Sequence, residues 1–386
     1  MLINSLIDEV NRREAALRII KSILQKKGRN GFYDLTGLAG GFPILSEDKG
    51  LLETYAGPAV FEDAVQTLGK IHLGGEKVLA LNRTSSGILA SVLALVNHGD
   101  GIVHYLPKSP AHPSIPKSAD LVGASYLEFD NIDEFRVEEN TALVFITGST
   151  MDHEVITKED FLKVVRISKS KNIPVIVDDA SGARLRTIVY KQPRAMDMGA
   201  DIAITSTDKL MDGPRGGLMS GNEEIMQQIK SKAHQFGLEA QAPLVAAMVR
   251  ALENLSPEKI LKAFSAKHEL NSALKKQFSQ VKETPTGIML TPEALKLELE
   301  NRNMITDLNP KDLAFLFAMI LLRDHAIITI PAVGMPGASA TIRIDLASND
   351  AEKISTNELV EAFNNSFSKL ISILSDDVEC KKVLYS

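Results

Sequence analysis

One cysteine, Cys380, stands in 386 residues. Without a second thiol there is no intrachain disulfide, and the composition suits a reducing compartment such as the cytoplasm. No run approaches the roughly 18 consecutive apolar residues of a membrane-spanning helix. A cleavable leader is not expected either: charged residues follow within the first ten positions, and no apolar stretch precedes a small-residue site. The eight histidines are scattered with no ligand-like spacing, which argues against a metal centre. A Gly-Lys-Ser/Thr phosphate loop is missing, so a nucleoside triphosphate is not the expected ligand. The net charge of −6 gives no general pull toward nucleic acid or an anionic membrane. There are no internal repeats and no low-complexity tract.

What is present is an ordinary globular mix, 44% apolar and 24% charged, in a chain long enough for one large domain and a smaller one. Residues 2–27 place Ile3, Ile7, Val10, Leu17, Ile20 and Leu24 at the steps of an amphipathic helix. Its polar side is basic, with Arg12, Arg13, Arg18, Lys21, Lys26 and Lys27 outnumbering Asp8, Glu9 and Glu14. Such a helix packs on its own or a neighbouring subunit. A nucleic-acid contact is disfavoured, because no aromatic residues interleave with the charges. A glycine-rich loop follows over residues 34–43.

From residue 78 the pattern alternates. Short apolar or β-branched runs at 78–81, 102–106, 143–147, 175–177, 202–205 and 218–220 are separated in several places by helical periods, notably 87–97 and 158–169. Such alternation predicts a mostly parallel sheet covered on both faces, with ligands at the carboxyl ends of its strands. After residue 222 long helical stretches run to about 275. Helix 310–324, strand-like runs at 326–330 and 340–346 with a turn at 334–337 between them, and a helix from Asn357 follow. The resulting division is residues 1–50 (helix and glycine loop), 51–260 (large domain) and 261–386 (smaller α+β domain).

Three elements fall at strand ends. The first is Lys209, in Ser206-Thr-Asp-Lys209 before a Gly-Pro and Gly-Gly return. An amine there can form a Schiff base with an aldehyde cofactor, and the hydroxyls of Ser206 and Thr207 can hold that cofactor's phosphate. The second is Ser85-Ser86-Gly87, where a strand turns into a helix. Free N–H groups and the helix dipole make this an anion site, or simply an ordinary capped helix. The third is Asp178, delivered by an apolar strand. Its carboxylate can pair with a protonated pyridine nitrogen, cap the next element or bind a metal; Asp179 competes for the same role.

In this order, the three elements resemble the fold type I pyridoxal-phosphate enzymes, the aspartate aminotransferase superfamily, across most of residues 34–350. The Ser206–Lys209 motif with Gly213-Pro-Arg-Gly-Gly217 looks most like bacterial selenocysteine synthase and its archaeal relatives. The resemblance implies an α/β fold with a large, mostly parallel seven-stranded sheet domain and a smaller α+β C-terminal domain. It implies pyridoxal 5'-phosphate as cofactor, with Lys209 as the Schiff-base lysine and Asp178 at the pyridine nitrogen. Ser85, Ser86, Gly87, Ile88 and Ser206 would hold the phosphate, and His112 would stack on the ring. Arg343 would grip the substrate carboxylate unless it makes a surface ion pair; Arg83 and Arg215 are further candidates. Gly213, Gly216 and Gly217 would let a neighbouring subunit approach, in a homodimer or larger homo-oligomer.

The implied activity is elimination or replacement on a small amino acid, a lyase or transferase, with transamination as the alternative. Selenium transfer to seryl-tRNA is less expected, since the related enzyme carries an additional N-terminal domain that this sequence replaces with a short basic segment. A non-catalytic, cofactor-binding regulator is the reading from another class.

Overall fold

The computed structural model describes residues 2–38, 41–334 and 339–386. They divide into two compact units: residues 38–257, and residues 1–37 together with 258–386. The N-terminal segment is therefore not a unit of its own. Residues 1–37 belong with the C-terminal part, because the helix Leu6–Lys27 buries Ala15 and Ala16 in the same core as the C-terminal helices. Of the turn at 334–337, the residues after Gly334 lie outside the described residues.

Twelve strands are found among the described residues. In chain order they are β1 (Tyr33–Asp34), β2 (Lys77–Leu81), β3 (Gly101–Tyr105), β4 (Ser125–Phe129), β5 (Thr141–Thr147) and β6 (Val175–Asp178). They continue with β7 (Ile202–Ser206), β8 (Gly217–Gly221), β9 (Lys282–Thr284), β10 (Gly287–Leu290), β11 (Ile327–Ile328) and β12 (Ile342–Asp345).

The larger unit holds a seven-stranded sheet in the order β2-β8-β7-β6-β5-β3-β4. Five strands, β7 through β4, run parallel, while β8 is antiparallel to both its neighbours. Alternation along the strands makes two cores. Leu143, Phe145, Ile176 and Ile204 point to one face, under helices Thr84–Leu95, Ser114–Val122 and Glu223–Gln235. Val144, Ile146, Val175 and Val177 point to the other, under Lys158–Lys169. That helix is bounded by its own sequence. Thr157 accepts the Asp160 N–H at 3.1 Å, Glu159 and Asp160 occupy the first turn, and Arg166 and Lys169 the last.

The smaller unit contains an antiparallel sheet, β12-β10-β9, and a parallel pair, β1-β11. Its core is built on the helices Pro310–His325 and Thr356–Ile373, with Phe278, Phe317, Phe363 and Phe367 meeting edge to face. The strand-like run at 326–330 shortens to β11, because Pro331 opens a helical turn, Ile330–Val333.

The N-terminal helix forms, but in a different rotational setting from the one its apolar pattern predicts. The residues facing the core are Arg12, Ala15 and Ala16, with Ile19 and Ile23 packed beside them; of the expected apolar positions, Ile3 and Ile20 also meet this core. Arg12 donates to the carbonyls of Pro331 and Ala332, the latter at 2.8 Å, and its guanidinium lies over Phe315. Burial lowers that guanidinium to about 10, so it stays charged. Arg12 is thus a core residue and not part of a solvated basic face. Ile7, Val10, Leu17 and Leu24 are exposed.

Candidate active site

The site lies at the carboxyl end of β6 and β7, in the larger unit. Asp178 ends β6, and its side chain is on the same sheet face as Ile176. It is buried, and its Oδ1 has no hydrogen-bond partner among the described residues. Burial pushes its carboxyl above the usual range of an aspartate; the opposing charges of His112 and Lys209 pull it back. Asp178, His112 and Lys209 are therefore within electrostatic reach of one another.

Asp179 points the other way and is already used. Arg186 embraces it, with Nη2 on Oδ2 and Nε on Oδ1 at 3.0 Å, both side chains being buried. Gly148 and Gly182 make room for this pair: a Cβ on either would come within 1.9 and 2.1 Å of the Asp179 Oδ1. Of the two adjacent carboxylates, Asp178 is the one left for a ligand.

His112 is oriented by its own turn. The Ser114 backbone N–H donates to its Nδ1 at 3.2 Å, with the Ser114 hydroxyl at 2.8 Å from the same atom. The neutral ring therefore carries its proton on Nε2. Lys209 is half-buried, its Nζ 3.8 Å from the Met151 sulfur, and its backbone bridges to Leu38.

The motif around Lys209 is largely occupied with shaping itself. The Ser206 hydroxyl donates to Asp208, whose other oxygen lies 3.6 Å from the Arg215 Nε. Thr207 donates to the Pro214 carbonyl at 2.6 Å, and its N–H to the Gly216 carbonyl at 3.1 Å. The three glycines are required inside the chain itself. A Cβ at Gly213 would meet the Thr207 carbonyl at 2.4 Å, one at Gly216 the Met248 side chain, and one at Gly217 the Arg83 carbonyl. Their smallness is thus explained without a neighbouring subunit.

The anion turn opens the helix Thr84–Leu95, with Arg83 as its N-cap. Ser86 and Gly87 donate their N–H groups to the Arg83 carbonyl at 3.2 and 3.3 Å. The first two N–H groups, of Thr84 and Ser85, have no intrahelical acceptor and are the ones available to an anion, beside the hydroxyls of Ser85 and Ser86. Gly87 is buried against Ile204, Leu81 and Met219, and the Ile88 side chain belongs to the core. The Arg83 side chain is exposed, at the same sheet end as Ser206, because Gly217 pairs with Ser206 and abuts the Arg83 carbonyl.

Arg343 is in the smaller unit. It sits on β12, buried, with Nη2 donating to the Thr36 carbonyl at 3.1 Å and Nε 4.0 Å from Asp345. It is an internal residue of that unit, not a surface ion pair.

Two groups went unnoticed in the sequence. Arg184 is fully buried and donates to the carbonyls of Ala180 (2.6 Å) and Ser206 (2.7 Å), to the Thr205 hydroxyl (2.9 Å) and toward His72 (3.2 Å). It ties together the strand ends that carry Asp178 and Lys209. Burial and the Arg184 charge lower His72 to about 3, so it accepts from the guanidinium as a neutral ring. No pattern in the sequence distinguishes Arg184 from its neighbour Arg186. The second group is His104, buried in mid-strand on β3. Tyr126 donates to Glu128 at 2.8 Å, so His104 Nδ1 donates to the Tyr126 hydroxyl and its Nε2 accepts from Thr147, each at 2.8 Å. Burial takes this imidazole to about 3. A lone histidine in the apolar run Gly101–Tyr105 was its available signal.

Residues 58–259 match the family model of the Cys/Met metabolism PLP-dependent enzymes, and residues 277–355 match the UPF0425 C-terminal domain. Over 380 residues, 98% of this chain and 99% of the other, the sequence is 53% identical to a UPF0425 pyridoxal phosphate-dependent protein of Methanosphaera stadtmanae. The chain belongs to the UPF0425 family of pyridoxal phosphate-dependent proteins. It has a more distant similarity to L-seryl-tRNA(Sec) selenium transferase. The Mannheimia succiniciproducens protein is 31% identical over 188 residues, 44% of this chain and 37% of that one. An aromatic aminotransferase from Pyrococcus horikoshii shares the fold, with a TM-score of 0.56 at 16% identity over 92% of this chain and 99% of that one. The fold is type I, with a seven-stranded mixed sheet and a smaller C-terminal unit. Among the described residues no helix is long and apolar enough to cross a membrane.

The residues present fit the cofactor of that family. A buried carboxylate oxygen without a partner is costly unless a donor arrives, and a protonated ring nitrogen is such a donor.

Proposed function

We propose that the chain is a pyridoxal-phosphate enzyme of the lyase or transferase kind, removing or replacing a substituent on the β- or γ-carbon of a small amino acid. The observation that carries this reading is the buried Oδ1 of Asp178, without a partner among the described residues and within electrostatic reach of His112 and Lys209. When bound, pyridoxal phosphate supplies an electron sink for charge left on the α-carbon.

The chain's residues do the rest. The Thr84 and Ser85 N–H groups with the Ser85 and Ser86 hydroxyls seat a phosphate at the helix N-terminus. Asp178 keeps a proton on the ring nitrogen, and His112, with its Nδ1 held by Ser114, presents a ring in fixed orientation. The Lys209 amine, once free, takes the α-proton and returns it to the leaving group or the carbon skeleton. Arg83, exposed beside the anion turn, and Arg343, on β12 of the smaller unit, are the candidates for a substrate carboxylate.

Transamination uses the same residues. Transfer to a seryl-tRNA is favoured only by the partial similarity to the selenium transferases. The test is borohydride reduction of the protein mixed with pyridoxal phosphate, followed by peptide mass mapping and a screen of amino acids for released ammonia, oxo acid or amino-group transfer. A reduced adduct on Lys209 with turnover of a free amino acid supports the proposal. An adduct with no turnover points to a regulator, and no adduct removes Lys209 from the chemistry.

A further inference from the structure

The N-terminal helix Leu6–Lys27 leaves an apolar stripe in solvent. Leu6, Val10, Leu17 and Leu24 are exposed by 78, 54, 45 and 40% of their surfaces. Val10, Leu17 and Leu24 are spaced by seven residues, two helical turns, and lie on the side away from Arg12, Ala15 and Ala16, which face the core. This is the seam of a helix pair with one helix missing.

The charges beside the seam identify the missing partner. On one flank are Glu14 and Lys21, on the other Glu9, Arg13 and Lys27, all exposed. Let a second copy of the helix lie antiparallel, centred on Leu17. Leu17 then meets Leu17, and Val10 meets Leu24 of the other copy. The same register sets Glu14 beside Lys21 and Glu9 beside Lys27, each contact occurring twice about the two-fold axis. A parallel pair brings Glu9 of one helix against Glu14 of the other, like charge on like. Nucleic acid fits poorly, since the stripe is apolar and its flanks carry both signs. We infer that this face binds a second copy of the chain, through an antiparallel helix pair centred on Leu17. The inference does not depend on the cofactor.

Disulfide trapping in the full-length protein tests it. The native thiol, Cys380, is fully buried and burial pushes it up to about 11, so it does not compete. Under mild oxidation L17C should form a covalent dimer with itself. V10C alone should not, while a mixture of V10C and L24C chains should. E14K should lower the L17C yield, and E14K with K21E should restore it. No L17C disulfide, whether the chain is monomeric or joined through another surface, overturns the inference; so does a V10C chain that pairs with itself.

Discussion

Two aspartates leave the end of β6 side by side, on opposite faces, and the regions they enter differ in kind. Behind the sheet end, Asp179 has both oxygens on Arg186, in a pocket kept open by two glycines. In front, Asp178 keeps an oxygen with no partner among the described residues, within electrostatic reach of a histidine and a lysine. The first arrangement is what a stable scaffold requires of a buried charge. The second is poorer for stability and makes sense only if something else completes it. Neighbouring residues of one type thus separate scaffold from chemistry by whether their hydrogen bonds are already spent.

The largest effect expected on the chemical side is that of Lys209→Ala. Turnover of any amino acid accepted by the wild type should fall by about 10⁴-fold, the upper range for a lost general base, and borohydride should no longer fix the cofactor to the chain. A circular dichroism spectrum of the cofactor-free variant that matches wild type would assign the loss to chemistry and not to folding.

On the scaffold side, Arg186→Met leaves Asp179 buried and unpaired, which should cost about 3–5 kcal/mol in denaturant unfolding. Adding Asp179→Asn should recover much of that loss. Failure to recover would mean that the pair is not what holds this end of the sheet.

Asp178→Asn should divide the two readouts. Turnover should drop on the order of 10²-fold, as when one electrostatic partner of the reacting charge is removed. The cofactor-free protein should become more stable at neutral pH, because an unsatisfied carboxylate is gone. The sign with pH follows from its raised titration. The folded protein favours the protonated acid, so the native Asp178 costs nothing below its ordinary value of 3.8 and its full penalty above its raised value. The advantage of the asparagine variant should therefore be absent in acid and grow as pH rises through that window. A variant less stable than wild type at pH 7 would erase the contrast between the two aspartates.

The smallest effect is that of Gly213→Ala. Its Cβ would meet the Thr207 backbone carbonyl at 2.4 Å, so we expect a loss of about 1–3 kcal/mol and a weaker hold on the cofactor, measured by fluorescence titration.

How much of this could be read beforehand follows the same division. Buried parallel strands announce themselves as apolar runs, and six of the seven strands in the main sheet did so. The missing one, β4, is an edge strand whose polar positions Ser125 and Glu128 leave no such run. Lys209, Asp178 and the serine turn stood at strand ends, where their residue types carried the signal. The position of Asp178, first after the apolar run, favours it over Asp179; that Arg186 claims Asp179 is not legible, because an ion pair seven residues apart across a turn has no periodic mark. Arg184 and His104 were hidden for a related reason: their partners are backbone carbonyls and side chains from other strands. The N-terminal helix was placed correctly along the chain and misplaced in rotation, since two alanines and an arginine stem outcompeted the longer aliphatic stripe for the core.

The reversed strand β8 fixes how the Lys209 segment is held. Because β8 runs against β7, the ten residues between them leave the sheet at Ser206 and re-enter it at Gly217, which are register partners on neighbouring strands. The segment that carries Lys209 is thus a cassette with both anchor points at the same rim. Most of its interior is buried in the larger unit, so it is held as one piece between those anchors. A slip in the β7–β8 register would carry Lys209 and its whole turn along with it.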